Sequence, residues 1–82
     1  MEKFQLILLI EGIVKGNYQA WTIGVTDKPE DKKKERGNPR DWYVWEANSE
    51  EIACDMEEFF IQKGCKRVVG KHCSGTYIFI YL

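Results

Sequence analysis

Runs of bulky apolar residues are separated along the chain by charged and turn-forming segments, and this pattern predicts its elements. The first run, KFQLILLIEGIV from Lys3 to Val14, is almost continuously aliphatic, which is typical of a strand covered on both faces, with a short helix as the alternative. Lys15, Gly16 and Asn17 follow, and Gly and Asn tolerate the positive φ of tight turns. YQAWTIGV (residues 18–25) is rich in strand formers. The chain is therefore expected to begin with a β-hairpin.

A short, highly charged helix is predicted in DKPEDKKKERGNP, residues 27–39. Asp27 is a suitable N-cap, Glu30 three positions later would complete a capping box, and Pro29 fits the first turn. Gly37 marks the end of the helix. The segment contains no large aliphatic or aromatic residue, so burial cannot hold it in place. Its charges must be solvated or must contact a partner.

The next apolar run, DWYVWEA from residue 41 to residue 47, predicts another strand. Trp42 and Val44 would point to one face and Tyr43 and Trp45 to the other. Because both faces would carry bulky side chains, we expect this strand to be covered on both sides and its aromatic residues to pack in the core. A stacking surface for single-stranded nucleic acid, formed by these rings and Trp21, is the alternative.

A second helix is predicted in NSEEIACDMEEFFIQKG, residues 48–64. Asn48 and Glu51 are typical of a helix start, and Gly64 of a helix end. Spacing at about 100° per residue gives one apolar stripe; its members are Ile52, Ala53, Met56, Phe59 and Phe60. Glu57 falls at the border of this stripe, as an ordinary surface acid or as a functional carboxylate.

The chain ends with a basic loop, CKRVVGKHCSG, and a final strand, TYIFIYL from residue 76 to residue 82. The predicted order is therefore β-β-α-β-α-β over a single domain of residues 1–82. This order indicates an α+β fold with a small antiparallel sheet flanked by two helices.

Charge is unevenly distributed in this nearly neutral protein. The formal net charge is −1, so overall charge selects no partner. Six acids and no Lys or Arg lie in residues 46–58, whereas residues after 58 carry bases only. Such separation can create a positive face on a neutral protein, although solvated surfaces are the simpler interpretation. Six further bases surround the charged helix: Lys28, Lys32, Lys33, Lys34, Arg36 and Arg40.

The three cysteines and the apolar N-terminal run bear on location. An odd number of Cys without a CxxC pair indicates reduced thiols and a cytoplasmic protein. Cys54, Cys65, His72 and Cys73 are sufficient in number for a Cys₃His zinc site, but their spacing is unlike that of known zinc motifs. Residues 4–10 are too few to span a membrane. No membrane association is expected.

Ile23-Gly24-Val25-Thr26, followed by the charged helix, a strand and a helix with a central Glu, resembles the GIY-YIG nuclease domain. In that family two strands carry Gly-Ile-Tyr and Tyr-Ile-Gly, the first helix carries an Arg and then a His or Tyr, and a later helix carries a metal-binding Glu. The resemblance covers most of the chain, from about residue 7 to about residue 60. It implies a nucleic-acid substrate and a divalent metal, Mg²⁺ or Mn²⁺, if the domain is catalytic.

Carried over position by position, the resemblance assigns Lys32 to the family's Arg, Arg36 to its His or Tyr, and Glu57 to its metal ligand. These three would be the catalytic residues, with Thr22 and Gly24 lining the cleft. The basic residues from Lys28 to Arg40 would contact nucleic acid.

Two tyrosines of the family pattern are absent. Thr22 stands where the second motif has Tyr, and Val14 stands where the first has Tyr if Gly12-Ile13 is its counterpart; an earlier counterpart near residues 9–11 has no Tyr either. Neither Thr nor Val replaces a phenolic oxygen, and Lys lacks the bidentate fork of Arg. Tyr18 and Tyr43 are the candidates to replace the missing groups.

The sequence therefore favours a nucleic-acid-associated GIY-YIG-like domain with impaired or absent nuclease activity. A protein-interaction module or inhibitor that uses the charged helix against an acidic partner is the alternative. An intact metal-dependent endonuclease is the third interpretation, so enzymatic activity is uncertain and oligomeric state is left open.

Overall fold

The computed structural model describes residues 1–68 and 73–82. Within them the chain forms an α+β fold with three helices and a four-stranded mixed sheet. The α+β class is confirmed, but the two-helix antiparallel arrangement is wrong. The elements in chain order are α1 (Lys3–Val14), a 3-10 turn (Tyr18–Ala20), β1 (Thr22–Thr26), α2 (Pro29–Glu35), β2 (Trp42–Glu46), α3 (Glu50–Lys63), β3 (Lys66–Arg67) and β4 (Tyr77–Tyr81).

The N-terminal segment is a helix, so the predicted hairpin is wrong. Leu6, Ile10 and Val14 recur at intervals of four residues and are buried, as expected for one face of a helix. Lys15 (φ 51°) and Gly16 (φ 80°) do adopt positive φ, but they end α1 rather than closing a hairpin. The aliphatic run resembled a strand because α1 also carries apolar residues on its exposed side.

The sheet has the strand order β2-β4-β1-β3. β4 is the predicted C-terminal strand and pairs antiparallel with β1 and with β2, each over five residues. β3 lies in the predicted basic loop and pairs parallel to β1, through Thr22 with Lys66 and Ile23 with Arg67. Its parallel direction makes the sheet mixed. The predicted element order is wrong because the chain begins with a helix and β3 is an additional strand.

The two predicted helices, α2 and α3, occur close to their predicted positions, but their N-cap residues differ from those predicted. The predicted Asp27 cap of α2 is not formed: the N-cap is Lys28, without a side-chain bond, and the Oγ1 atom of Thr26 accepts the Lys28 N–H at 3.1 Å. The N-cap of α3 is Ser49 rather than Asn48, and its hydroxyl accepts the Ile52 N–H at 3.1 Å. Both differences are shifts of one residue.

The two faces of the sheet are unlike each other. On the face that we call the core face, Ile23, Ile78 and Ile80 are fully buried in one apolar cluster with residues of α1 and α3. The opposite face, the cleft face, carries Gly24 and Phe79, which pair across β1 and β4. No described helix is long and apolar enough to cross a membrane.

β2 lies at the edge of the sheet, so the prediction that it is covered on both sides is wrong. Tyr43 is 40 % exposed and Val44 39 % exposed, on opposite faces of the strand. Trp21, by contrast, is buried in the core cluster as predicted.

Candidate functional site

One cleft, of about 260 Å³, joins residues that are distant in the sequence. Gly24, Lys32, Arg36 and Glu57 all line it, so four of the residues singled out from the sequence lie around one space. The remaining lining residues are Val25, Thr26, Asp27, Glu35, Val68, Cys73, Ser74 and Phe79. Four elements contribute, together with loop residues: the end of β1, α2 with its C-cap Arg36, one position of α3, and Phe79 of β4.

The cleft begins where β1 extends past the end of β3. Among the described residues β3 pairs only with Thr22 and Ile23 of β1, so residues 24–26 extend beyond β3. These three residues line the cleft, and they belong to the Ile-Gly-Val-Thr motif that carries the family resemblance.

Gly24 is required by packing. A Cβ atom at this position would lie 2.5 Å from Cζ of Phe79 and 3.0 Å from Cγ2 of Val68. Phe79 is fully buried, so its ring has little room to move away. The glycine therefore lets an aromatic side chain cross β1 at the base of the cleft.

Thr26 links β1 to α2. It is buried, and its hydroxyl accepts the N–H of Lys28, which fixes the turn that starts α2. Gly75 packs directly against the backbone of Thr26 and Asp27, where a Cβ would clash. The motif is thus explained locally by packing, and its position sets where α2 begins.

α2 contributes two cations to the cleft and has no buried residue. Lys32 has a side chain only 19 % exposed, and its Nζ atom lies 3.2 Å from Oε2 of Glu35. Arg36 donates from Nε to the hydroxyl oxygen of Tyr81 at 2.7 Å, with its guanidinium carbon 5.8 Å from the ring centre. Polar and cation–π contacts therefore replace the apolar anchor that α2 lacks.

Glu57 lies on the buried side of α3, so it is not an ordinary surface acid. It is 9 % exposed and joins Ala53, Met56 and Phe60 as a buried position of α3, whereas Phe59, which was predicted to be buried, is 36 % exposed. Desolvation raises the pKa of the Glu57 carboxyl, an effect opposed by the positive charge of Arg67 and increased by the negative charge of Glu58. Such a group is characteristic of functional clefts, although structural sites also show it.

A disulfide borders the cleft, so the prediction of three free thiols is wrong. Cys54, one turn before Glu57 on α3, is bonded to Cys73, which lines the cleft. Cys65 is free and buried, and burial raises the pKa of its thiol to about 11. The disulfide also removes one reason for expecting a cytoplasmic location, since such bonds are rare there.

The other predicted site residues lie outside the cleft lining. Thr22 pairs with Lys66 and Tyr81 at the opposite end of β1. Tyr18 donates its hydroxyl to Oε1 of Glu11 at 2.6 Å, and Tyr43 packs near Trp21 and Trp45. Four of the basic residues are also absent from the lining: Lys28, Lys33, Lys34 and Arg40.

The cleft carboxylates do not form a complete metal site by themselves. Among residues 1–68 and 73–82, no group of three His, Cys, Asp or Glu side chains is arranged to hold a metal ion. Mg²⁺ is commonly held by one or two carboxylates plus substrate phosphates. Glu57 and Asp27 would have to rely on a bound phosphate for the remaining ligands, so we assign no catalytic step to a metal. The alternative zinc set loses Cys54 and Cys73 to the disulfide, and His72 lies outside the described residues.

Sequence reasoning missed Tyr81, Phe79 and the disulfide. Tyr81 and Phe79 occur in a strand that was predicted correctly, but their partners Arg36 and Gly24 are separated from them by 45 and 55 residues in the sequence. Only the fold reveals these pairs. Comparison of the chain with protein-family models, with curated proteins and with solved structures found no match.

Proposed function

We propose that this chain is a small nucleic-acid-associated, GIY-YIG-like domain in which the cleft binds phosphate and nuclease activity is impaired or absent. The observation that supports the proposal is the convergence of Gly24, Lys32, Arg36 and Glu57 on one cleft. Three different elements bring these residues together, and the family resemblance had singled out these four along with Thr22, which lies outside the cleft lining.

The cations of the cleft suit a phosphate group. Arg36 uses Nε for its bond to Tyr81, which leaves its two terminal amino groups as donors for a phosphate oxygen. Lys32 is held beside it on the same helix, at the border of the cleft. Phosphate contacts of this kind position a nucleic acid and carry no sequence information of their own.

Among residues 1–68 and 73–82, the cleft lining lacks the groups expected to activate water. The lining contains no Tyr and no His among the described residues. Val14, which stands at one tyrosine position if Gly12-Ile13 is the counterpart of the first motif, is buried in the core cluster with other residues of α1. Of the described lining residues, Glu57 and Asp27 are the ones to which general-base assistance would fall. This composition favours binding without efficient cleavage.

Binding to labelled DNA and RNA oligonucleotides tests the proposal, with fluorescence anisotropy measured across a salt series. We expect the affinity to fall steeply with salt, and to fall further in Lys32→Glu and Arg36→Glu. Lys15→Glu, at the end of α1, changes net charge equally and is the control; it should have a much smaller effect. Lys34→Glu makes the same change of charge on α2 at a residue that does not line the cleft. It therefore distinguishes the effect of a cleft cation from the effect of charge elsewhere on α2.

If salt and both cleft substitutions leave retention on DNA and RNA unchanged, the proposal fails. Cleavage with Mg²⁺ or Mn²⁺ that disappears in Glu57→Ala would support the intact endonuclease instead. A stable protein complex that survives nuclease treatment would favour the interaction module. Circular dichroism of each variant distinguishes lost binding from lost folding.

A further inference from the structure

Three aromatic rings form a continuous layer on the cleft face of the sheet, which we call the aromatic shelf. It consists of Trp42, Phe79 and Tyr81. The Trp42 ring lies 4.7 Å from that of Phe79 with 14° between their planes, and 5.7 Å from that of Tyr81 with 25° between them. Phe79 and Tyr81 are also nearly parallel, at 18°. The three ring planes are therefore similarly oriented, and one side of Trp42 is stacked on Phe79.

The shelf is partly open to solvent. Its Phe79 ring is fully buried, whereas Trp42 and Tyr81 are only half-buried. Trp42 belongs to the edge strand β2. Val44, two residues along the same face, is 39 % exposed, so the open surface continues past Trp42.

Arg36 joins this shelf to the cleft. It lines the cleft, and it contacts Tyr81 both through the hydroxyl and through the ring. A phosphate held by Arg36 would therefore have an aromatic surface beside it. Cations that track a backbone, next to aromatic rings that stack bases, are the usual combination in proteins that bind single strands.

We propose that the aromatic shelf stacks an unpaired base, so that the partner of the cleft is single-stranded nucleic acid rather than an uninterrupted duplex. This inference rests on the proposed function, because it requires a phosphate in the cleft. Bases within a duplex are already stacked on their neighbours and offer only their edges, whereas an unpaired base can place its face on Trp42.

The test compares two neighbouring aromatic residues of β2 that point to opposite faces. Trp42→Leu is expected to weaken binding of a short labelled oligothymidylate roughly 5- to 150-fold. Tyr43→Leu removes a ring that is 40 % exposed on the other face, and it should leave affinity unchanged. Trp42→Phe keeps an aromatic face and should retain most of the wild-type affinity. This variant still tests the role of an aromatic ring if Trp42→Leu folds poorly.

Two further probes separate base stacking from phosphate binding. An abasic strand of equal length should bind the wild-type protein as weakly as oligothymidylate binds Trp42→Leu. A blunt duplex should also bind more weakly at the same ionic strength. If the abasic strand or the duplex binds as tightly as the single strand, or if Trp42→Leu and Tyr43→Leu behave alike, the shelf proposal is overturned.

The shelf proposal and the proposed function would be contradicted by different experimental results. Salt-sensitive binding that responds to Lys32→Glu, but shows no preference for unpaired bases, overturns the shelf and leaves the proposed function standing. Absence of binding to every probe overturns both.

Discussion

The two faces of the sheet are stabilised in different ways, by adjacent residues of the same strands. On the core face, Ile23, Ile78 and Ile80 are fully buried against α1 and α3. On the cleft face, Gly24 and Phe79 pack against each other, and the polar helix α2 is connected through the bond from Arg36 to Tyr81. One face is held by aliphatic burial, and the other by a close aromatic contact and polar bonds.

In this domain of 82 residues, aliphatic burial is concentrated on one face, and the other face is the one on which we propose binding. So small a domain buries a limited share of its surface, so its apolar core provides only a small margin of stability. The core face concentrates the apolar contacts, which leaves the cleft face able to hold charged and half-buried groups. The substitutions below test that division, from the largest expected effect to the smallest.

The largest effect is expected from Phe60→Ala, which removes a fully buried ring from α3 in the core cluster. We expect it to lower the free energy of unfolding by about 3–5 kcal/mol, or to prevent folding. Phe59→Ala is the matched control, since this neighbouring ring is 36 % exposed, and should cost far less. Urea unfolding measures both. Equal costs would mean that α3 presents a different side to the sheet.

Loss of the disulfide should have the next largest effect, because it ties the segment beside the cleft to α3. Cys54 and Cys73 are 19 residues apart, and opening a loop of this size costs about 3 kcal/mol in the chain-entropy model. A dithiol reductant should therefore lower the urea midpoint of the wild-type protein. The double variant Cys54→Ser, Cys73→Ser should start at the lower midpoint and no longer respond. An unchanged wild-type midpoint on reduction would contradict the bond's role.

At Gly24 and Gly12, the same substitution to Ala should change the stability of the protein in opposite directions. Gly24→Ala introduces a methyl group against Phe79 and Val68, and overpacking of this kind costs about 1–3 kcal/mol. Gly12 lies within α1 with open space around it, so Gly12→Ala should stabilise the helix by up to about 1 kcal/mol. Thermal unfolding under oxidising conditions measures both. A stabilising effect of Gly24→Ala would show that the cleft face is not tightly packed at β1.

These two glycines also show how far the sequence could predict the fold. Both belong to Gly-Ile or Ile-Gly pairs that suggested the two halves of one motif. Gly24 lies on β1 and lines the cleft. Gly12 lies within helix α1, so the predicted hairpin that would have joined the two pairs is not formed. Local pattern alone could not decide between strand and helix, since α1 exposes apolar residues such as Phe4 and Leu8 as well as burying others.

The candidate site was predictable in part and for a clear physical reason. Helical spacing put Glu57 at the border of the apolar stripe, which proved to be the border of the cleft. The contact of Arg36 with Tyr81 and the disulfide depend on how distant segments meet, and composition and periodicity carry no information about such pairs. Which loop cysteine would reach α3 was likewise decided by the fold.

The smallest effect, and the most specific to the cleft, is the pH dependence that two adjacent acids should give with opposite sign. Burial raises the folded-state pKa of Glu57, so its contribution to stability is present below the unfolded value of about 4.3 and is lost as the pH rises through the folded value. Glu58 has a lowered pKa, through hydrogen bonds from Gln62 and Arg67. Its contribution is therefore present above the unfolded value and lost as the pH falls through the folded value.

Glu57→Gln should accordingly gain stability relative to the wild type as the pH rises from acid to neutral, whereas Glu58→Gln should lose it. Urea unfolding of the three proteins over this pH range measures the two difference curves, and slopes of the same sign would show that Glu57 is as solvated as its neighbour and that the cleft does not desolvate it.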